Sequence, residues 1–463
     1  MRVGIVGGGW AGLSAAITAT RLGHEVSLYE SGAVLGGRAR SVHAPALDTT
    51  IDNGQHILLG AYSATLELMR GLGLEPNHLF HCLPLSVQAA DASLRMNAVS
   101  WLPAPLHIAA GLLCAKGLSW AEKNAALRAM HHLRAHGWKT PRGTTVQEWL
   151  ALSLQPQRLQ RLLWGPLCIA TMNTPPETAC AQLFANVLRD SLGSPKREAS
   201  DMLIPRVNLS ELWPRRVEEL AARHALSDVP GASLHIHKSS TVRRLHYACD
   251  SGSVALGANS TADRPQIRID EQTESFDAVI LCCNPVSTAR LLADLAGDSE
   301  TDHFLATLHA FDYSPIATLT LRLTQPYRLP AHMLLLGEDR KRGHFGQWLF
   351  QGQDSESRLL HIVISDAADM LEYGRDAAVA RMMEQLKEQL EDGLPEVDRH
   401  SLIVEKRATF LSTPDLDRPN NRSPWHGIWV AGDWTDTGYP AVLEGAVSSG
   451  QKAALAMDAE LRA

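Results

Sequence analysis

The 463-residue sequence contains no C-x-x-C pair, and its seven cysteines are odd in number and scattered. That indicates neither a disulfide framework nor a zinc ribbon and suits a reducing cytosolic setting. Base is not in excess: 43 Lys and Arg face 50 Asp and Glu, a formal net charge of −7, so no chain-wide positive field invites nucleic acid. No stretch supplies the roughly 18–20 uninterrupted apolar residues of a membrane span. The nearest, WLPAPLHIAAGLLCAKGLSW from Trp101 to Trp120, is broken by two prolines, His107 and Lys116. It reads either as a buried helix or as a segment lying in a membrane interface. Heptads, tandem repeats and low-complexity tracts are missing, and no metal site is expected, since the adjacent His131 and His132 project from different parts of a helix. No cleavable leader is expected either, because the apolar run of MRVGIVGGG begins at once.

A chain of this length suits two domains. At its start, RVGIVGGGWAGLSAAITATRLGHEVSLYE runs strand, glycine turn, helix, strand, with Gly7, Gly9 and Gly12 in G-x-G-x-x-G positions. The first glycine permits the turn, the second lets backbone N–H groups approach a pyrophosphate, and the third brings helix and strand together. Glu30 closes the second strand 18 residues beyond Gly12, near the position of an acid that binds a ribose hydroxyl pair, which favours FAD or NAD over NADP. GGRARS follows, placing Gly37 and Arg38 where backbone and guanidinium can meet phosphate. TIDNGQHILLG, from Thr50 to Gly60, crowds a carboxylate, two amides and an imidazole into five residues; it is a strand edge and turn, or the floor of an active site.

The β-rich GASLHIHKSSTVRRLHY and FDAVILCCNP stand far downstream, separated by a polar stretch that suits a small antiparallel excursion. Cys282 and Cys283 in the second run read as small buried apolar residues. Near the C-terminus, GIWVAGDWTDTGYPAVLEGAVSSGQKAALAMDAEL ends a strand at Gly432 and Asp433 and opens a helix after Pro440. The expected fold is therefore α/β: a Rossmann-type FAD-binding domain in three pieces (1–61, 205–300 and 405–463) with an inserted, discontinuous α+β substrate domain (62–204 and 301–404). The first inserted piece reads as helical, the second as strands plus the helical AAVARMMEQLKEQL.

The order of these boxes resembles the FAD-dependent amine oxidase and phytoene desaturase superfamily. More narrowly, DNGQHILLGAY, MNTPPETACAQLF, PRVNLSELWP and AGDWTDTGYPAVLEGAVSSGQ resemble the hydroxysqualene dehydroxylases, also called squalene-associated FAD-dependent desaturases, of bacterial hopanoid pathways. The resemblance implies an amine oxidase-like fold and reductive removal of an allylic hydroxyl from hydroxysqualene, with reduced FAD oxidised. It implies that Gly7, Gly9, Gly12, Glu30, Gly37 and Arg38 hold the adenosine and pyrophosphate end, Val242 the adenine by its backbone, Gly432 and Asp433 the ribitol or phosphate region, and Ala441 and Val442 the pyrimidine side of the flavin. Gly54, Gln55 and His56 then fall beside the isoalloxazine. His56 is the expected proton donor, with Asp52 orienting it or binding water. Tyr439 walls the flavin cavity or simply packs, and Asn173 and Thr174 line the substrate path or shape a turn.

A hydrophobic isoprenoid substrate further implies peripheral contact with the cytoplasmic face of the inner membrane and association with upstream squalene-pathway enzymes. Trp101 to Trp120 is the candidate contact, with Leu112 and Leu113 as its probe positions. Two other classes share the fold: oxidative flavoenzymes acting on isoprenoids or amines, and the non-enzymatic Rab escort and GDP-dissociation-inhibitor proteins. Glu30, Arg38 and the AGDW box favour a filled flavin site over the latter. The absence of cysteine after Cys283 excludes a C-terminal thioether to flavin.

Overall fold

The computed structural model describes residues 1–247, 267–269, 275–295, 297–353, 356, 358–390 and 393–463. Its first sheet is parallel throughout and takes the order Ser233–His237, Glu25–Tyr29, Arg2–Val6, Ala278–Leu281, Ile428–Val430. Each strand is short, and all but the edge strand Ser233–His237 are largely buried. Val3, Ile5, Val26, Leu28 and Ile280 face one core, while Val6, Tyr29, Val279, Leu281 and Val430 face the other, the period-2 division of a doubly covered sheet. On the first side lie the helices Trp10–Arg21 and Leu443–Arg462. They cross closely because Gly450 carries no side chain: a Cβ there would stand 2.2 Å from the Ala11 carbonyl oxygen. Ser14 Oγ donates to Val447 O at 2.8 Å across the same contact.

The antiparallel excursion appears as the strands Leu245–Tyr247, Ile267–Ile269 and Ser275–Phe276; most of the polar stretch between the first two lies outside the described residues. Between residues 30 and 233 the chain builds a hairpin, Ser41–Ala44 with Thr49–Asp52. A helical lobe follows, around Trp149, Trp164 and Phe184, whose rings meet edge to face at 5.8–6.4 Å. This first inserted segment is less purely helical than expected. It contributes Phe80–Leu83, Ser86–Gln88, Arg95–Asn97 and Met202–Pro205 as strands, each of three or four residues and too short to display a period.

The second large sheet is antiparallel, in the order Met333–Leu335, Trp348–Gln351, Leu359–Ser365, Tyr313–Leu323, Val397–Phe410. One face packs on the helix Arg375–Gln389 through Leu319, Leu321, Leu360, Ile362, Met382 and Leu386. The opposite face presents Met333, Leu335, Trp348, Phe350 and Val363 to Met202 and Ile57. Ile57 adjoins His56, so this apolar wall runs up to the DNGQH segment. The strand Val397–Phe410 is one continuous element and crosses the domain limit expected at 404/405. Among the described residues, no helix is long and apolar enough to cross a membrane.

Candidate active site

The glycine turn is shaped by contacts that only glycine tolerates. Gly7 has φ +108°, and a Cβ on Gly12 would stand 1.8 Å from the Gly7 carbonyl oxygen, so helix and strand touch backbone to backbone. Gly9 differs: its φ and ψ are −74° and −179°, and a Cβ would lie 3.7 Å from the Gly37 Cα, an ordinary contact. No side chain caps the helix that follows, and no acid stands in its first turn, leaving its N–H groups and positive dipole end for an anion. The Glu30 carboxylate accepts from Gly8 N at 2.7 Å and Gly32 N at 2.6 Å, which fixes it at the rim of this turn. Just beyond, the Val242 carbonyl accepts from Arg290 Nη2 at 3.3 Å, and the Val242 N–H takes no partner among the described residues.

Arg38 leads from the phosphate turn inward. Its guanidinium donates to both carboxylate oxygens of Asp433 at 2.7 Å and to Ala408 O at 2.6 Å. Although protein surrounds it, 39% of its side-chain surface stays accessible; His56 and Tyr62 are likewise deep yet partly accessible. Arg38 follows Gly37, which touches Gly9 at the uncapped helix N-terminus, and reaches the Asp433 carboxylate, whose loop leads into the start of the helix Leu443–Arg462. Val442 caps that second helix in an extended conformation, again with no side-chain cap, and Ala441 packs just ahead of it. These features suit FAD: donors for the pyrophosphate at one end, a carboxylate for sugar hydroxyls, and a helix N-terminus for an electron-rich ring. Gly432 belongs to this loop as a backbone element. Its N–H donates to Ser449 Oγ at 3.0 Å, and a Cβ would strike the Trp434 indole at 2.4 Å.

His56 Nδ1 lies 2.7 Å from the Gly54 carbonyl oxygen. A carbonyl only accepts, so Nδ1 carries hydrogen and, in the neutral ring, Nε2 is bare. Burial lowers the His56 pKa, the Gly54 bond opposes this, and Arg38 lowers it further. Gly54 leaves space beside the ring: a Cβ on it would meet His56 Cε1 and Thr318 Oγ1, each at 3.7 Å. Gln55 sits between them, partly exposed.

Among the described residues, Asp52 makes no bond to His56. Its Oδ1 accepts from Leu209 N at 2.8 Å and Ser41 Oγ at 3.0 Å, so the carboxylate ties the hairpin to the helix Leu209–Leu212. Burial pushes its pKa up to about 6, against the opposing bonds from Leu209 and Ser41. Asn173 and Thr174 are both buried, and their side chains bond to the protein itself. Asn173, in the left-handed region at φ +46°, donates to Ser314 O at 3.3 Å and Thr409 Oγ1 at 2.8 Å and accepts from Asp366 N at 2.7 Å. Thr174 Oγ1 donates to Met172 O and accepts from Ser412 N. Both are buried clamps, Asn173 on the strand residues Ser314 and Thr409 and on Asp366, Thr174 on Met172 and Ser412. Tyr439 gives its hydroxyl to Asp190 Oδ2 at 2.7 Å. Cys282 and Cys283 border the glycine turn, and burial pushes Cys283 up to about 12, so it stays a thiol.

Three residues escaped the sequence reading. Arg418 holds the loop after Asp433 through the carbonyls of Asp433, Trp434, Thr435 and Tyr439 and lies 4.8 Å from the Phe410 ring centre. Burial lowers it to about 10. Glu444 accepts from Ala64 N, Thr65 N and Thr65 Oγ1, so this first-turn acid caps the helix Ser63–Gly71. Its place inside the quoted C-terminal box was the only available signal. Thr318 Oγ1 is buried near Gly54 and has no hydrogen-bond partner among the described residues; as one threonine in an alternating strand it carried no signal.

Residues 10–457 match the model of a family described as flavin containing amine oxidoreductase. The chain is 27% identical to a hydroxysqualene dehydroxylase of Zymomonas mobilis subsp. mobilis over 97% of each chain. It is 27% identical to another from Sinorhizobium fredii, over 98% of this chain and 97% of that one. A zeta-carotene desaturase of Synechocystis sp. is 22% identical over 99% and 97%. Among solved structures, cyclohexylamine oxidase from Brevibacterium oxydans superposes with a TM-score of 0.66 at 17% identity, covering all of this chain and 99% of that one.

Proposed function

The chain belongs to the flavin containing amine oxidoreductase family and is an FAD-dependent oxidoreductase, and from that premise we propose that it reduces hydroxysqualene to squalene. The observation that carries the reading is the end-to-end likeness to hydroxysqualene dehydroxylases. The site is compatible with it, because an apolar wall of Met333, Leu335, Trp348 and Phe350 leads to a deep imidazole. A long hydrocarbon chain finds apolar contact along that wall.

Reduced FAD, when bound, supplies the two electrons and the hydrogen that replace the hydroxyl. The protein's part is to bind the isoprenoid chain against the wall, exclude water and deliver one proton. As the allylic carbon–oxygen bond breaks, its electron pair stays on oxygen. Protonated His56 transfers its Nε2 proton there, and the oxygen leaves as water. The sum balances: allylic alcohol plus reduced FAD gives hydrocarbon, water and oxidised FAD. Gly54 holds the ring so that Nε2 is the atom exchanging the proton. Asp52 acts at a distance, by fixing the hairpin that carries the segment. Because such a substrate partitions into lipid, the enzyme works at the cytoplasmic face of the inner membrane, next to the enzymes that make its substrate.

Anaerobic single turnover tests the assignment. Prereduced enzyme mixed with hydroxysqualene should yield squalene and oxidised flavin in equal amounts. Oxidation of an amine or of phytoene in parallel reactions, with hydroxysqualene untouched, would overturn it in favour of an oxidative enzyme.

A further inference from the structure

We propose that the helical lobe of residues 101–164 is the face by which the enzyme docks on an anionic bilayer, with Trp101, Leu106, Trp120, Leu152 and Leu154 entering the interface. The proposal rests on the isoprenoid reading only for its purpose; charge and exposure carry it.

Residues 101–164 hold eight Lys and Arg against two Glu, a net +6 within a chain of −7, so the remainder carries −13. A chain polarised in this way turns one end toward a negative surface and its bulk away. Lys116, Arg128, Arg134 and Arg161 are exposed and pair with no acid among the described residues. The large exposed apolar side chains concentrate in the same place. Five of the eleven among the described residues fall within 101–154, both exposed tryptophans included, and Trp101 and Leu154 are each 81% exposed. Tryptophan beside lysine and arginine is the composition of an interfacial anchor.

The fold gathers these side chains around one helix pair, Leu106–Leu113 and Trp120–Ala135. Lys123 Nζ donates to Leu113 O at 2.8 Å and lies 5.2 Å from the Trp120 ring centre, which sets Trp120 at the end of the first helix. Gln155 Nε2 donates to Ala125 O at 3.0 Å, and Arg158 pairs with Glu122 at 3.0 Å. These bonds hold the turn bearing Leu152 and Leu154 against the start of the second helix. The segment is thus both things its sequence allowed, buried on one side and exposed on the other. Leu112 belongs to the lobe's core, so the insertion expected there passes to Trp101, Leu106 and Trp120, joined by two leucines beyond the segment.

Flotation of the FAD-loaded enzyme with substrate-free vesicles tests this. Binding to phosphatidylcholine–phosphatidylglycerol (3:1) vesicles should exceed binding to pure phosphatidylcholine by at least about tenfold and fall at high salt. The triple variant W101A/W120A/L154S should lose at least about tenfold in vesicle binding, with FAD content, melting temperature and turnover of detergent-dispersed substrate unchanged. K116E/R128E/R161E should erase the preference for the anionic lipid. Wild-type enzyme that ignores both vesicles, or an aromatic variant that floats like wild type, overturns the proposal. So does an aromatic variant that loses self-association while vesicle binding persists, which would make the face a contact between copies. The vesicles hold no substrate, so failure of the proposed reaction leaves flotation unmoved, and failure of docking leaves turnover in detergent unmoved.

Discussion

Alanine at Gly9 and alanine at Gly12 should fail in opposite ways, although both residues belong to one fingerprint. At Gly12 the new Cβ would stand 1.8 Å from the Gly7 carbonyl oxygen. Restoring an ordinary contact of ~3.4 Å means prising the helix ~1.6 Å off the strand, at the upper end of the roughly 1–3 kcal/mol that overpacking costs, or beyond it. Against a typical total of about 5–15 kcal/mol, Gly12→Ala should melt markedly earlier or fail to accumulate as soluble protein. At Gly9 the backbone already suits an L-residue and the Cβ meets nothing closer than 3.7 Å, so the apoprotein should melt like wild type. What Gly9→Ala should lose is the approach of FAD. Forfeiting one charge-assisted N–H to phosphate bond costs roughly 1.5–3 kcal/mol, about a 10- to 150-fold weaker Kd. Differential scanning fluorimetry of apoprotein, paired with titration of FAD by flavin fluorescence, separates the two. Wild-type FAD affinity in folded Gly9→Ala would refute the close approach of the pyrophosphate at this turn.

The depressed His56 pKa leaves the ring mostly neutral above pH 6.5, so the single-turnover rate should rise about tenfold per unit as pH falls toward that pKa; His56→Gln should be slow and flat, and a flat wild-type profile in stopped flow would remove the acid role. Asp52, raised to about 6 in the folded protein, binds its proton more tightly there than in the unfolded chain. Its contribution to stability is therefore fully present only below the unfolded value of 3.8 and is lost as pH rises through 6, by up to about 3 kcal/mol. Asp52→Asn should accordingly melt at or above wild type at pH 7.5, lose that advantage at pH 4.5, and turn over within about threefold of wild type; a loss of turnover near that of His56→Gln would reinstate Asp52 as catalytic. Thr318→Val removes a buried hydroxyl that has no partner among the described residues and should raise stability by about 1 kcal/mol, read as a higher melting temperature; a lower one would mean that the hydroxyl is bonded.

What the sequence made legible follows the range of the forces involved. The glycine turn, Glu30 and the strand ending in Asp433 are local: steric demands on successive residues write themselves into successive letters, and each stands where its spacing put it. Arg38 and Asp433 were legible one by one, yet their mutual ion pair spans 395 residues of chain and no spacing rule joins them. The residues hardest to read were polar ones inside family-specific boxes. Asp52, Asn173 and Thr174 all sit in such boxes, and each spends its polar atoms on remote backbone: Asp52 on Leu209, Asn173 on Ser314 and Asp366, Thr174 on Ser412. A buried amide or carboxylate must be satisfied somewhere, and in a discontinuous domain the satisfying group comes from a distant segment, so a recurrent box can mark a fold clamp as readily as a ligand contact. His56 escapes that ambiguity because its Nδ1 partner lies two residues away, at Gly54. The local bond consumes one ring nitrogen and leaves the other for chemistry, and that asymmetry separates it from Asp52, whose bonding oxygen is occupied twice.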